Sequence, residues 1–176
     1  IQGSQLGIVG MGQIGAAVAR RARAFGMTIA YTKRSPLDTE TAKELNATHM
    51  ELDELLATSD VVSLHCPYSP ETHHLMNAST IGKMKKSAYL INTARGPVVD
   101  EEALATALQQ GKIAGAGLDV FEKEPTVHQA LIGLDNAVLI PHLGSATVET
   151  RTAMANLAVT NALAVLSGKT APNLVG

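Results

Sequence analysis

Two rhythms of apolar and polar residues alternate along this chain. Short, nearly continuous apolar runs occur at 6–9, 27–31, 61–65, 88–92, 113–120 and 138–140. Runs of this kind predict strands buried on both faces. The stretches between them carry helical spacing. Ile14, Val18, Ala22 and Phe25 share one stripe, Glu40 and Glu44 sit one turn apart in a short helix over 39–45, and Leu52, Leu55 and Leu56 mark another. A short strand is expected at 48–50 and a turn-rich loop at 67–74, followed by a helix through Asn77, Thr80, Ile81 and Met84 that ends near Lys85 and Lys86. A helix over 101–110 has Asp100 as its N-cap, Ala103, Leu104, Ala107 and Leu108 as its buried side, and Gly111 just past its end. The last and longest helix, over 148–166, turns Met154, Leu157, Ala158, Asn161, Ala162 and Val165 toward a packing surface and stops at Gly168. Buried-type strands alternating with helices predict an α/β fold, a parallel sheet covered on both faces.

Composition narrows the class. The 176 residues suffice for a full core and are most simply one domain; they are 45% apolar and 17% charged, with a net charge of −2. That balance suggests neither a nucleic-acid surface nor a polybasic membrane patch, and the sequence shows no apolar run of membrane-spanning length and no signal-peptide pattern. The single cysteine, Cys66, excludes an internal disulfide or a cysteine cluster for zinc or iron–sulfur, and a cytoplasmic enzyme fits best. His49, His65, His73, His74 and His128 read as structural or exposed, with no metal-ligand spacing among them.

The candidate chemistry begins where the first apolar run breaks into Gly10-Met11-Gly12-Gln13-Ile14-Gly15. Strand, glycine turn, helix and strand follow in the order required of a dinucleotide-binding fingerprint, which makes the fold a Rossmann-type doubly wound sheet. Gly10 makes the tight turn, Gly12 lets backbone approach a pyrophosphate, and Gly15 lets the helix lie close to the sheet. The helix N-terminus offers unpaired N–H groups and a partial positive charge to the phosphates. Eighteen residues beyond Gly15, where NAD-specific fingerprints carry an acid for the ribose 2′-hydroxyl, stands Lys33, followed by Arg34 and flanked by Thr32 and Ser35. A 2′-phosphate would be attracted by this group, so NADP(H) is the expected cofactor; a solvated basic strand end that tolerates NAD(H) is the alternative.

Further stretches carry a resemblance that spans the chain. They are Leu64-His65-Cys66-Pro67 with Thr72-His73-His74-Leu75, then Ile91-Asn92-Thr93-Ala94-Arg95-Gly96, then Gly117-Leu118-Asp119-Val120-Phe121-Glu122-Lys123-Glu124-Pro125, and finally Pro141-His142-Leu143-Gly144-Ser145-Ala146-Thr147. With the glycine fingerprint they resemble, in order, the nucleotide-binding domain of the D-isomer-specific 2-hydroxyacid dehydrogenases. The resemblance is strongest to the glyoxylate/hydroxypyruvate reductase branch and related 2-ketogluconate reductases.

This resemblance implies reduction of a small 2-keto acid to the D-2-hydroxy acid by hydride transfer. It casts Arg95 as the arginine that holds the substrate carboxylate and polarises its carbonyl, His142 as the general acid/base, and Glu124 as the carboxylate paired with that histidine. These types suit the chemistry: a guanidinium fork matches a planar carboxylate, and an imidazole titrates near the working pH. The implied cofactor contacts are Gly10, Gly12, Gln13, Ile14, Gly15, Thr32, Lys33, Arg34, Ser35, Cys66, Pro67, Thr72, Thr93, Ala94, Arg95, Asp119, His142, Gly144 and Ser145. Cys66 is read as packing beside the nicotinamide rather than as a nucleophile. Family members also carry an N-terminal substrate domain, expected to be missing from this chain, so that the chain binds cofactor with little turnover. The long last helix is expected to help pack a homodimer and the inter-domain face. Two other readings stay open: a corepressor-like binding module without turnover, and a phosphite or formate dehydrogenase on the same frame.

Overall fold

The computed structural model describes residues 1–174. Its elements, in chain order, are β1 (Gln5–Val9), α1 (Gln13–Ala24), β2 (Thr28–Thr32), α2 (Thr39–Leu45), β3 (Ala47–His49), α3 (Leu52–Thr58), β4 (Val61–Leu64), α4 (Ala78–Ile81), β5 (Tyr89–Asn92), α5 (Glu101–Gln109), β6 (Gly115–Leu118), β7 (Ala137–Leu139) and α6 (Val148–Leu166). Among the described residues seven strands form one sheet in the order β3-β2-β1-β4-β5-β6-β7, every pair parallel. The first strand thus lies inside the sheet, and strand order reverses between β1 and β4, the crevice at which doubly wound sheets bind ligands.

Register sets the site. Val9 lies beside Thr32 and Leu64, Leu64 beside Asn92, and Asn92 beside Leu118. Leu118 in turn lies beside Leu139, so six strands end on one row, and the next residues along the chain are Gly10, Lys33, His65, Thr93, Asp119 and Ile140. All six lie in the stretches singled out from the sequence.

The core is split by the sheet. Leu6, Ile8, Ile29 and Tyr31 pack with Met11, Ala19, Ala22 and Leu45, beneath α1 and α2. Val9, Ala30, Val62, Leu64 and Leu90 join Leu55, Leu56, Leu104 and Leu108, beneath α3 and α5. Alternate side chains of β1 and β2 reach opposite clusters, as the two-residue repeat of a strand requires. Each fully buried Leu or Ile contributes about 1.5–3 kcal/mol.

Several expectations shift. In α1 the buried residues are Gly15, Ala19 and Ala22, whereas Ile14 and Phe25 are 68% and 64% exposed. The helix approaches the sheet on its smallest side chains, so its face is turned by about one residue from the stripe of bulky ones. The strand expected at 48–50 is Ala47–His49, because Asn46 ends α2 directly in the left-handed conformation, with φ 46°. The helix expected to reach Lys85 stops at Ile81 and continues only as turns. Helix α5 ends at Gln109, with Ala105 buried and Ala103 only partly so. The strand expected over 113–120 pairs only across Gly115–Leu118.

The run at 138–140 is not a buried strand. The strand is β7, Ala137–Leu139, at the sheet edge, with Val138 66% exposed and Ile140, just past its end, 39% exposed. No side chain of α6 is buried among the described residues, so Met154, Leu157 and Val165 lie exposed rather than packed. Two compact units divide the chain, Ile1–Pro141 and a second from His142 onward that holds α6. The Thr147 hydroxyl caps α6 by accepting the Thr150 N–H, and Gly168, at φ 72°, follows its end. No described helix is long and apolar enough to cross a membrane.

Leu90 is fully buried in the larger cluster. Leu90→Ala should lower the unfolding free energy by about 2–5 kcal/mol, read from urea denaturation.

Candidate functional site

The glycine turn fits tightly beneath and openly above. Gly10 has φ 96°, and a β-carbon there would lie 2.5 Å from the Cys66 nitrogen and 2.7 Å from its Cα, so the turn rests on the exit of β4. At Gly15 a β-carbon would stand 2.5 Å from the Gly10 carbonyl oxygen and 3.2 Å from Ile8 Cγ2. At Gly12 the space is open. Gly12 is the N-cap of α1, no side chain caps that end, and the first turn holds no acid. The positive end of a twelve-residue helix thus faces free space, which fits a diphosphate held on N–H groups with Gln13 at the first helical position.

Beside it opens a cleft of about 740 Å³ lined by Ile14, His65, Cys66, Pro67, Tyr68, Thr93, Ala94, Arg95 and Pro97. Its walls are mostly apolar, with a few polar groups to orient a bound ring. Ile14 is exposed because it forms one of these walls. Burial pushes the Cys66 thiol pKa up, so it stays protonated and serves as wall rather than nucleophile. His65, expected to be structural or exposed, also lines the cleft. Its Nε2 lies 2.9 Å from Ser63 Oγ, and burial lowers its pKa from the ordinary 6.5.

The turn after β5 is built by a buried amide. Asn92 Oδ1 accepts the Ala94 N–H at 3.1 Å, and its Nδ2 donates to the Arg95 carbonyl at 3.0 Å. This clamp presents Thr93, Ala94 and Arg95 to the cleft. The exposed Arg95 guanidinium donates through Nη1 to the Ala94 carbonyl at 2.6 Å. Asp119 is buried at the end of β6, where its N–H donates to the Asn92 carbonyl at 3.0 Å.

The loop carrying Glu124 is tied down by a reciprocal pair. Glu101 Oε1 accepts the Glu122 N–H at 2.8 Å, and Glu122 Oε1 accepts the Glu101 N–H at 2.9 Å. Burial raises the Glu101 pKa. Glu124 Oε1 accepts the Phe121 N–H at 3.1 Å. Thr72, expected to touch cofactor, uses its hydroxyl inside its own loop, donating to the Pro67 carbonyl and accepting from the Ser69 N–H, each at 2.8 Å.

At the end of β2 the half-buried Thr32 accepts the Gly10 N–H on its carbonyl at 3.0 Å, and Lys33, Arg34 and Ser35 are exposed beyond it. A hydrogen bond from the Ser69 side chain holds the Glu71 carboxyl below the usual range, and the Arg34 charge adds to it. His142, Gly144 and Ser145 belong to the second unit, on the turn before α6, with His142 at φ 52°.

Sequence reasoning missed Tyr68 and Pro97 as cleft walls, and Asn92 as the clamp. An amide ending the apolar run at 88–92 was the available signal for Asn92. Glu101 gave none, because an acid in a first helical turn reads as solvated.

Two outcomes follow. Gly10→Ala should lose dinucleotide binding in a nicotinamide-fluorescence titration and lower stability by at least about 1–2 kcal/mol, from the left-handed backbone alone. The lowered His65 pKa means that the unfolded chain takes up this proton first. Stability therefore falls as pH drops through about 6.5, until folded His65 is itself protonated. His65→Gln should flatten the decline in unfolding free energy between about pH 7 and pH 5.

Known proteins share both sequence and geometry with this chain. A glyoxylate reductase from Thermococcus onnurineus is 52% identical over 175 residues, which cover 99% of this chain and 52% of that protein. Glyoxylate/hydroxypyruvate reductase B from Erwinia tasmaniensis is 50% identical over 173 residues, covering 97% of this chain and 54% of that protein. The crystal structure of an NADPH-dependent glyoxylate/hydroxypyruvate reductase from Sinorhizobium meliloti, in complex with NADP and malonate, matches with a TM-score of 0.93 at 42% identity, covering 100% of this chain and 54% of that one. The chain spans about half the length of the curated relatives it matches. Residues 1–144 match the family described as D-isomer specific 2-hydroxyacid dehydrogenase, NAD binding domain, and the chain belongs to that family.

Proposed function

We propose that this chain is the cofactor-binding part of an NADP(H)-dependent reductase that converts a small 2-keto acid, glyoxylate or hydroxypyruvate, to the D-2-hydroxy acid. The observation that carries the reading is Arg95, held by the Asn92 clamp at the mouth of an apolar cleft that adjoins the glycine turn. Relatives about half identical and named glyoxylate reductases support it. Because the chain spans about half of those relatives, the substrate-binding half is assigned to polypeptide outside these 176 residues.

The α1 N-terminus and Gly12 hold the diphosphate, Ile14, Cys66 and Pro67 wall the ring, and the bound nicotinamide supplies the hydride. The Arg95 guanidinium binds the substrate carboxylate through two parallel N–H donors and draws electron density from the adjacent carbonyl. His142 holds the proton that the developing alkoxide requires, and Glu124 is the carboxylate assigned to tune it. These roles rest on the matching motifs. The exposed apolar side chains of α6, Leu157 and Leu163 among them, are assigned to a homodimer or inter-domain contact.

Selectivity for NADP(H) is assigned to Lys33 and Arg34, both exposed just past β2 where NAD-binding relatives of the fold carry an acid. The S. meliloti enzyme, which holds NADP, supports this choice. Fluorescence titration should show tighter NADPH than NADH binding. The double variant Lys33→Ala, Arg34→Ala should weaken NADPH about tenfold or more while leaving NADH nearly unchanged. Equal affinities in the unaltered chain would reduce the pair to a solvated strand end. Glyoxylate-dependent NADPH oxidation by the 176-residue chain should be negligible, and clear turnover would overturn the assignment of substrate binding to another part of the polypeptide.

A further inference from the structure

The segment 33–37 leaves the sheet as a loop and enters α2 at its cap, and its main chain is held at both ends. At the far end the Leu37 N–H donates to the Tyr31 hydroxyl at 2.9 Å. Asp38 then caps α2, accepting the Thr41 N–H at 2.8 Å and the Thr41 hydroxyl at 2.7 Å. At the near end the Lys33 carbonyl oxygen lies 3.4 Å from His49 Nε2, a longer contact made when that nitrogen carries the proton. Tyr31 and His49 are cross-strand neighbours on β2 and β3, with ring centroids 5.2 Å apart in an edge-to-face arrangement.

Tyr31 is the unusual member of this set. It is 1% exposed, in the small core cluster beneath α1, where an apolar side chain would fill the same space. A buried phenol retained in a core has a hydroxyl to satisfy, and this one reaches through the sheet end to the loop that carries the basic pair.

We propose that Tyr31 is a positioning residue for cofactor selectivity: its hydroxyl fixes the base from which Lys33 and Arg34 reach a 2′-phosphate. This inference rests on the assignment of that pair to NADP(H). Lysine and arginine are long and lose much rotamer freedom when they engage an anion. If the loop beneath them also moved, its ordering would oppose binding as well. Anchoring Leu37 removes that second loss before the ligand arrives. The anchor matters only to a ligand that uses the basic side chains, and NADH, with a free ribose hydroxyl in place of the phosphate, does not. Tyr31 therefore acts on the ratio of the two affinities rather than on dinucleotide binding in general.

Tyr31→Phe keeps the ring, its burial and its contact with His49, and removes only the acceptor for the Leu37 N–H. The variant, the unaltered chain and the Lys33→Ala, Arg34→Ala chain are titrated with NADPH and with NADH by nicotinamide fluorescence. Exchange of the Leu37 amide is followed by NMR without cofactor. Tyr31→Phe should weaken NADPH about three- to tenfold, the loss of one neutral hydrogen bond, hold NADH within about twofold, and speed Leu37 exchange. Equal weakening of both cofactors would make Tyr31 a merely structural residue and overturn the inference, as would an unchanged ratio or unchanged exchange. If the double variant loses its NADPH preference while Tyr31→Phe keeps it, only the role of Tyr31 fails. If the double variant keeps the preference, the assignment of the basic pair itself fails.

Discussion

Parallel pairing points every strand's carboxyl end the same way, and here the register brings six of those ends level. Val9, Thr32, Leu64, Asn92, Leu118 and Leu139 form the row, and everything the chain offers to a ligand within its first unit stands at or beyond it. The loops then have little left to do. Gly10, His65 and Thr93 each need only one step past the hydrogen-bonded ladder to meet the same crevice. A slip of one residue in any pairing would turn alternate side chains to the opposite face and break the row.

The two devices that hold the turns are polar and mostly buried. Asn92 satisfies the main chain of the Ala94–Arg95 turn from below, and the Glu101–Glu122 exchange binds the start of α5 to the loop leading to Glu124. In each case a side chain replaces hydrogen bonds that a turn would otherwise lose to burial. Such turns present flexible side chains on a rigid main chain, the arrangement that positions a guanidinium without restricting its fork.

Much of this was legible. The apolar runs located the strands because parallel strands are buried on both faces, and the glycine turn, read with its flanks, located the crevice. What failed had physical causes. The stripe in α1 was drawn through bulky residues, but close packing on a sheet selected Gly15, Ala19 and Ala22, while Ile14 was kept for the cleft. Residues 138–140 read as buried because a strand with one neighbour has the same composition as one with two. The partners of the Asn92 clamp and of the Glu101 pair could not be read, since each depends on which backbone groups the fold brings within reach; for Asn92 only the amide at the end of its apolar run hinted at a role.

The strand order also governs how the sheet can be assembled. β1 is made first, β2 and then β3 add on one side of it, and β4 to β7 add in turn on the other. Every new strand joins an open margin, and none has to be inserted between partners already bonded. A chain emerging from its amino end can therefore grow this sheet without undoing earlier pairings, although each crossover closes a long loop and slows the step. The crevice is the mark that β4 leaves on joining the second margin. The binding site is in this sense a seam between two stages of growth.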